Sequence, residues 1–370
     1  MNNTKKTYDL TNILFLTITP PLALILVTIH LVNEGFIWQQ WLLGLGFYFL
    51  MGLSITAGYH RLFSHRAYKA HPVIESLFLF FGAGAFQNSL LKWGSDHRCH
   101  HTKCDGAEDP YSISKGFFYA HMGWIFEAET QDLTDRFGKE LKKNPRVMFQ
   151  HKHYLVMAVV SGMILPTIVG WMLGSWLGGL AISGIFRIVF VHHATFFINS
   201  LCHVWGTQPY GDDNSAKDSR LMAIFTYGEG HHNYHHHFQA DYRNGIKWFD
   251  FDPTKWLINA LAYLGLATDL IQTDEEDILA AKLQMQHKLA LKNIDNPSIA
   301  SQVEARFTEL KVELKKLKKK RQELLALKGM AAREMVQELK RQLKLEQILF
   351  EQKCSEWREF LSGAGSTIPS

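Results

Sequence analysis

Apolar and polar positions fall into long blocks rather than the short alternations of a soluble domain. Residues 11–210 carry long apolar runs, whereas residues 273–358 are rich in Lys, Glu, Gln and Leu. The first run, 11–32 (TNILFLTITPPLALILVTIHLV), has the roughly 20 apolar residues that a bilayer crossing needs. A second, 36–57 (FIWQQWLLGLGFYFLMGLSITA), follows a turn at Asn33-Glu34-Gly35, and 154–174 and 176–203 form a second pair around Gly174-Ser175. In lipid only helices and closed barrels satisfy the backbone, so the pattern predicts an all-α integral membrane protein with four transmembrane helices in two hairpins. No small-residue cleavage site follows the first run, which therefore reads as an anchor rather than a signal peptide. Lys5 and Lys6 precede the first span, and Arg61, Arg66 and Lys69 follow the second. These cations put that side, and with it both termini, in the cytoplasm.

A fifth apolar run, 73–91, is long enough to cross, but Gly82, Gly84, Gln87 and Asn88 interrupt it and histidine clusters lie on both sides. If those clusters serve one site they share one face of the membrane, so the run is expected to be interfacial or re-entrant. Residues 103–152 are polar and of mixed charge, and read as a cytosolic helical layer capping the spans. The expected division is a membrane domain over 1–272 and a cytosolic helical extension over 273–370.

The densest chemistry is at Gly228–Phe238, where five of the seven residues from His231 to His237 are histidines. Neutral imidazole is a good ligand for Fe, Zn and Cu. In His97-Arg-Cys-His100-His101 the imidazoles stand at i, i+3 and i+4, on one face of a helix, and His232-Asn-Tyr-His235-His236 repeats that spacing. His60 and His65 differ: five residues place them roughly 140° apart on an ideal helix, so they are expected to straddle the end of the second span. Eight histidines exceed what one metal can use and suit two metals. Eight imidazoles with no acidic bridge argue against the Glu-x-x-His di-iron bundle type, and the lack of a thiolate set argues against structural zinc. Iron for oxygen activation is the leading inference. Cys99, Cys104, Cys202 and Cys354 form no paired framework, and Cys99 with Cys104 is read as reduced thiols on a cytosolic face rather than a metal pair.

With those motifs in view, the chain resembles the membrane acyl-CoA desaturases of the stearoyl-CoA (delta-9) desaturase family over about residues 10–270. His60-Arg-Leu-Phe-Ser-His65, Asp96-His97-Arg-Cys-His100-His101 and His232-Asn-Tyr-His235-His236 match its three histidine boxes in spacing and order, and Asn199-Ser-Leu-Cys-His203 matches its Asn-Ser-x-x-His element. The resemblance implies two Fe ions held by His60, His65, His97, His100, His101, His203, His232, His235 and His236, with Asn199 acting through water. It also implies O2 as oxidant, a cis double bond made in a saturated acyl chain, and a fatty acyl-CoA substrate. Electrons would come from a separate ferredoxin or cytochrome b5-type donor and its reductase, since no haem-binding His-Pro-Gly-Gly motif occurs. Ser95 and Glu108-Asp109-Pro110-Tyr111 depart from the animal pattern, so a lipid-bound or carrier-protein-bound acyl chain stays open. A membrane di-iron fatty acid or alkane hydroxylase is the enzymatic rival. A metal transporter is disfavoured by clusters gathered at one face.

Trp93, Trp124 and Phe196, with His192 or His193, are candidates for the wall of an acyl tunnel, and Arg66 and Lys69 for cations at its cytosolic mouth. His231 and His237 flank the third box outside the matched positions. In the extension, Leu310, Leu314, Leu317, Leu324, Leu339 and Leu343 predict two helices broken near Gly329, and Ser362–Ser370 reads as disordered. Lys315–Arg321, six cations in seven residues, is a candidate surface for anionic lipid or an acidic electron carrier. The formal net charge of +4 gives no sign of a nucleic-acid partner.

Overall fold

The computed structural model describes residues 7–128, 132–327 and 333–363. Lys5, Lys6 and the expected break near Gly329 lie outside these residues. So does the stretch expected to be disordered, apart from Ser362 and Gly363, which close a helix.

Four helices are long and apolar enough to cross a membrane: span 1 (Leu10–Glu34), span 2 (Trp38–Ser64), span 3 (Tyr154–Met172) and span 4 (Trp176–Val204). Span 1 starts where Asp9 accepts the Asn12 amide at 2.9 Å, a side-chain N-cap. The hairpin turns need a left-handed backbone, supplied by Gly35 (φ 76°) after span 1 and Gly174 (φ 98°) after span 3. Spans 3 and 4 approach so closely that a Cβ on Gly170 would collide with the Gly179 backbone, the small-residue packing that membrane helices favour. Span 1 packs on span 4, and span 2 on spans 3 and 4.

The 73–91 run is two elements. Pro72–Ala83 is a 12-residue helix, too short to cross, and Leu90–Lys103 is a separate helix that begins at the Ser89 cap. Between them the chain turns through Phe86 (φ 56°) and Asn88 (φ 79°). Only one strand pairing is present among the described residues, Lys69–Ala70 antiparallel to Ala267–Thr268, joining the exit of span 2 to the segment beyond the third box.

The chain divides into two compact units, residues 1–206 with 214–272, and residues 207–213 with 273–370. The second unit contains three helices, Glu275–Asn293, Pro297–Leu327 and Arg333–Gly363, one more than the leucine pattern predicts. Its own core includes Leu283, Phe307, Leu314, Leu317, Phe350 and Trp357. Most cations of the Lys315–Arg321 run are paired inside this unit: Lys316 with Glu313, Lys318 with Asp277, Lys320 with Glu346, and Arg321 with Glu275 and Glu276. Lys318, Lys320 and Arg321 thus tie this helix to its two neighbours, while Lys316 and Lys319 pair within the helix and stay exposed.

Candidate metal centre

Local winding explains how each histidine is aimed. The end of span 2 is π-helical over Ser54–Ser64, and the His65 amide bonds the His60 carbonyl at 3.0 Å, an i→i+5 bond. This wider winding brings the two side chains together, with ring centroids 4.8 Å apart, where an ideal α-helix would leave them on different faces. His97, His100 and His101 lie on the continuous helix Leu90–Lys103, and His232, His235 and His236 on His232–His237. Asn199 and His203 do not share one unbroken helix: the chain breaks at Ser200, so Asn199 ends one helix and His203 sits on the next, Leu201–Val204.

The nine imidazoles gather into two groups, His60, His65, His97, His101 and His235 in the first and His100, His203, His232 and His236 in the second. The helices of the second and third boxes each serve both, whereas His60 and His65 of the first box join the first group only. The i, i+4 pair His97/His101 joins the first group and His100 the second, whereas His232/His236 joins the second and His235 the first. Within the first group Nε2 atoms lie 2.8 Å apart for His65–His97 and 3.0 Å for both His60–His235 and His101–His235. In the second they lie 3.1 Å apart for His203–His232 and 3.2 Å for His232–His236.

Burial, reinforced for most by neighbouring imidazoles, lowers His65, His97, His101, His235 and His236 well below the usual histidine value, and His232 to about 3. These groups are therefore neutral at pH 7, with Nε2 atoms converging at about 3 Å. Neutral imidazoles brought together in this way are a donor set that fits two metal ions. Cys104 lies near both His100 and His203. Burial and the neighbouring Asp105 and Asp109 push its thiol up, leaving it protonated rather than a thiolate donor.

Outer partners hold several rings by Nδ1, freeing Nε2 for the groups. His60 Nδ1 is 3.1 Å from Glu229 Oε2, His100 Nδ1 is 2.9 Å from Asp109 Oδ1, and His203 Nδ1 is 2.7 Å from Ser215 Oγ, which donates to Asp105 at 2.6 Å. Such contacts select the tautomer and fix ring orientation. Glu229 also accepts from Arg61 NH2 at 2.9 Å, and Arg61 NH1 bonds Asp252 at 3.0 Å. Burial alone would raise the Glu229 carboxyl, but His60, Arg61 and their hydrogen bonds bring it down to about 2. Sequence reasoning missed Glu229, Asp109, Asp105 and Ser215 as partners; the available signal was a carboxylate close to each box. His231 and His237 lie outside both groups.

The groups open onto a cavity of about 840 Å³ whose wall includes His60, His97, His100 and His232. Asn199 lines it beside them, as do Trp93, Trp124, His192 and Phe196. Trp93 stacks on His97 with centroids 5.0 Å apart. His193, Arg66 and Lys69 are not on this wall. His193 faces His121 at 3.0 Å, Arg66 pairs with Glu140, and Lys69 pairs with Asp269 at the surface. The cations that do line the cavity include Lys92, paired with Asp96, and Arg136, paired with Glu108.

Comparison with known proteins places this architecture. The chain is 44% identical over 245 residues to a protein of Schizosaccharomyces pombe named probable acyl-CoA desaturase, covering 66% of this chain and 51% of that one. It is 39% identical over 252 residues to acyl-CoA desaturase 1 of Saccharomyces cerevisiae, covering 65% and 48%. It is 34% identical over 256 residues to the chloroplastic palmitoyl-monogalactosyldiacylglycerol delta-7 desaturase of Arabidopsis thaliana, covering 66% and 67%. The chain thus spans about half the length of the two yeast relatives. A sequence model described as fatty acid desaturase matches residues 38–269, which include every histidine of both groups. The chain belongs to the fatty acid desaturase family.

Proposed function

We propose that the chain is an O2-dependent desaturase that introduces a cis double bond at the delta-9 position of a saturated fatty acyl chain carried as acyl-CoA. The observation that carries this reading is the opening of two all-imidazole groups onto one cavity that continues between the membrane spans. His60, His65, His97, His101 and His235 would hold one iron, and His100, His203, His232 and His236 the other, with Asn199 acting through a water molecule. Iron bound there supplies the oxidising power that an unactivated C–H bond requires. The protein positions the chain and excludes water. Trp93, stacked on His97, would press the reacting carbons toward the groups, and Phe196 with His192 would guide the methyl end. Glu229, Asp109 and Ser215 hold His60, His100 and His203 in the tautomer that aims Nε2 inward.

Loss of two hydrogens from –CH2–CH2– gives –CH=CH–. Those two protons and two electrons, with two further protons and two external electrons, reduce O2 to two waters. The external pair would come from a ferredoxin or cytochrome b5-type protein and its reductase, meeting a site that faces the cytoplasm together with both termini.

A second reading, desaturation of a lipid-bound acyl chain, is favoured by one observation: the Arabidopsis relative is named for a galactolipid substrate. Purified protein supplied with a donor, its reductase and O2 separates the readings, with products read by mass spectrometry. An alkene from stearoyl-CoA without alcohol supports the proposal, and an alkene from the acyl lipid alone supports the second reading. An alcohol as main product, or no product from either substrate, overturns both.

A further inference from the structure

Arg187 lies inside span 4, is 2% exposed, and among the described residues pairs with no carboxylate. An ionised side chain within a span is costly and marks a function by default. Its three donor positions go to backbone carbonyls: NH1 to Gly84 at 2.8 Å, NH2 to Gly162 at 2.7 Å and Nε to Ser183 at 3.1 Å. Each carbonyl sits where regular helix hydrogen bonding is interrupted. Gly84 caps Pro72–Ala83, and Gly162 and Ser183 lie in the π-wound stretches Val160–Ile164 and Gly179–Phe186. One guanidinium therefore joins the end of the non-crossing helix to spans 3 and 4.

The segment held this way is the Gly84–Asn88 corner. Phe86 and Asn88 adopt positive φ there, a conformation that persists only when its surroundings impose it. His192 adds a second hold, its Nε2 lying 2.9 Å from the Ala85 carbonyl and 3.1 Å from that of Phe86. Phe86 also packs on Gly162, where an added Cβ would meet its ring at 2.6 Å. Phe86, Gln87 and Asn88 form part of the cavity wall, while Arg187 does not. Among the described residues of span 4, the wall reaches no deeper than His192. Directly after the corner, Ser89 caps the helix that carries His97, His100 and His101.

We infer that Arg187 is a positioning residue that fixes, through the Gly84–Asn88 corner, how deep the acyl chain travels and hence which carbons face the imidazole groups. The inference rests on the desaturase reading above. A merely structural arginine would change yield; a positioning one changes the ratio of products.

The test compares wild type with Arg187→Met, Arg187→Lys and Phe86→Ala in a host fed saturated acyl chains of several lengths. The readouts are double-bond position, chain-length profile and metal per chain. Arg187→Met should raise the ratio of minor to main double-bond isomers about tenfold, equivalent to about 1.4 kcal/mol of lost discrimination, with metal content unchanged. Arg187→Lys, which keeps the charge but not the planar fork, should fall between. Phe86→Ala removes the wall without touching the pin and should shift the ratio similarly, so it decides the matter even where Arg187→Met does not accumulate. No alkene from wild type counts against the desaturase reading itself. An alkene from wild type, with Phe86→Ala and the Arg187 variants that accumulate keeping its isomer ratio, overturns the inference alone.

Discussion

Replacing Glu229 perturbs the centre most sharply while leaving every imidazole in place. Its carboxylate is 1% exposed and meets His60 Nδ1 at 3.1 Å, Arg61 NH2 at 2.9 Å and Asn244 Nδ2 at 2.6 Å. Arg61 is equally buried and keeps only Asp252 and the Tyr242 carbonyl when Glu229 is lost. Glu229→Ala strands three buried donors, at about 1–3 kcal/mol each. It also breaks a buried ion pair, a loss of about 3–5 kcal/mol that overlaps the first. A total near 5 kcal/mol is comparable with the whole stability of many domains, about 5–15 kcal/mol. Glu229→Gln keeps the shape and one acceptor oxygen but removes the charge that holds His60, so its main effect falls on metal retention, about 10–100-fold weaker. The assay is a chelator titration of purified protein with metal read by mass spectrometry, beside thermal unfolding in the same detergent. Glu229→Gln should release metal at lower chelator concentration while staying folded, and Glu229→Ala should lower the melting temperature as well. Wild-type metal retention in Glu229→Gln would refute the assignment of Glu229 as the group that orients His60.

Other outcomes follow from the same geometry. For the metal-free protein, the lowered imidazoles His65, His97, His101, His232, His235 and His236 favour the folded state fully above the unfolded histidine value of about 6.5. Below that pH the unfolded chain takes up protons that the folded site refuses, so stability falls by up to about 1.4 kcal/mol per pH unit for each. Melting temperatures after chelation should therefore drop steeply from pH 7 to pH 5.5, and a flat profile would contradict a neutral cluster. In the second unit, Leu317 is 4% exposed, so Leu317→Ala should cost about 2–5 kcal/mol. Limited proteolysis should then cut the Pro297–Leu327 helix much faster, and unchanged cleavage would show that this core does not hold the unit. Lys319 pairs at 3.9 Å with Glu323 at the surface, so Lys319→Gln should shift stability by less than about 0.5 kcal/mol, which thermal unfolding can check.

Features whose physics is local were legible in the sequence. The i, i+3, i+4 spacing of His97/His100/His101 and of His232/His235/His236 fixes one helix face without knowledge of the fold, and the four long spans follow from length and hydropathy. Where winding departs from the ideal α-helix, spacing misleads: His60 and His65 look divergent until the π-wound end of span 2 brings them together. Division of the ligands between two groups depends on how separate helices face each other, which no local pattern encodes. The partners Glu229, Asp109 and Ser215 were hidden for the same reason, since a carboxylate or hydroxyl near a motif has no preferred direction until the loop folds. The 73–91 run showed the opposite case. Hydropathy permitted a crossing, but the need for His65 and His97 on one side excluded it, and the positive-φ corner at Phe86–Asn88 shows how the chain turns back. In the extension, the Lys315–Arg321 run looked like an open cationic surface because its partners Asp277, Glu346 and Glu275 lie on other helices.

Metal stoichiometry tests the central claim most directly: that nine imidazoles form two neighbouring metal sites serving one cavity. Purified wild-type protein, His101→Ala from the first group and His236→Ala from the second would be analysed for iron per chain by mass spectrometry and for the two-iron signature by Mössbauer spectroscopy. The account predicts two irons per chain in wild type, with a coupled pair in the spectrum, and a loss of about one or more from either variant. Two irons retained in both variants, or a wild-type chain that takes up no more than one, would contradict it.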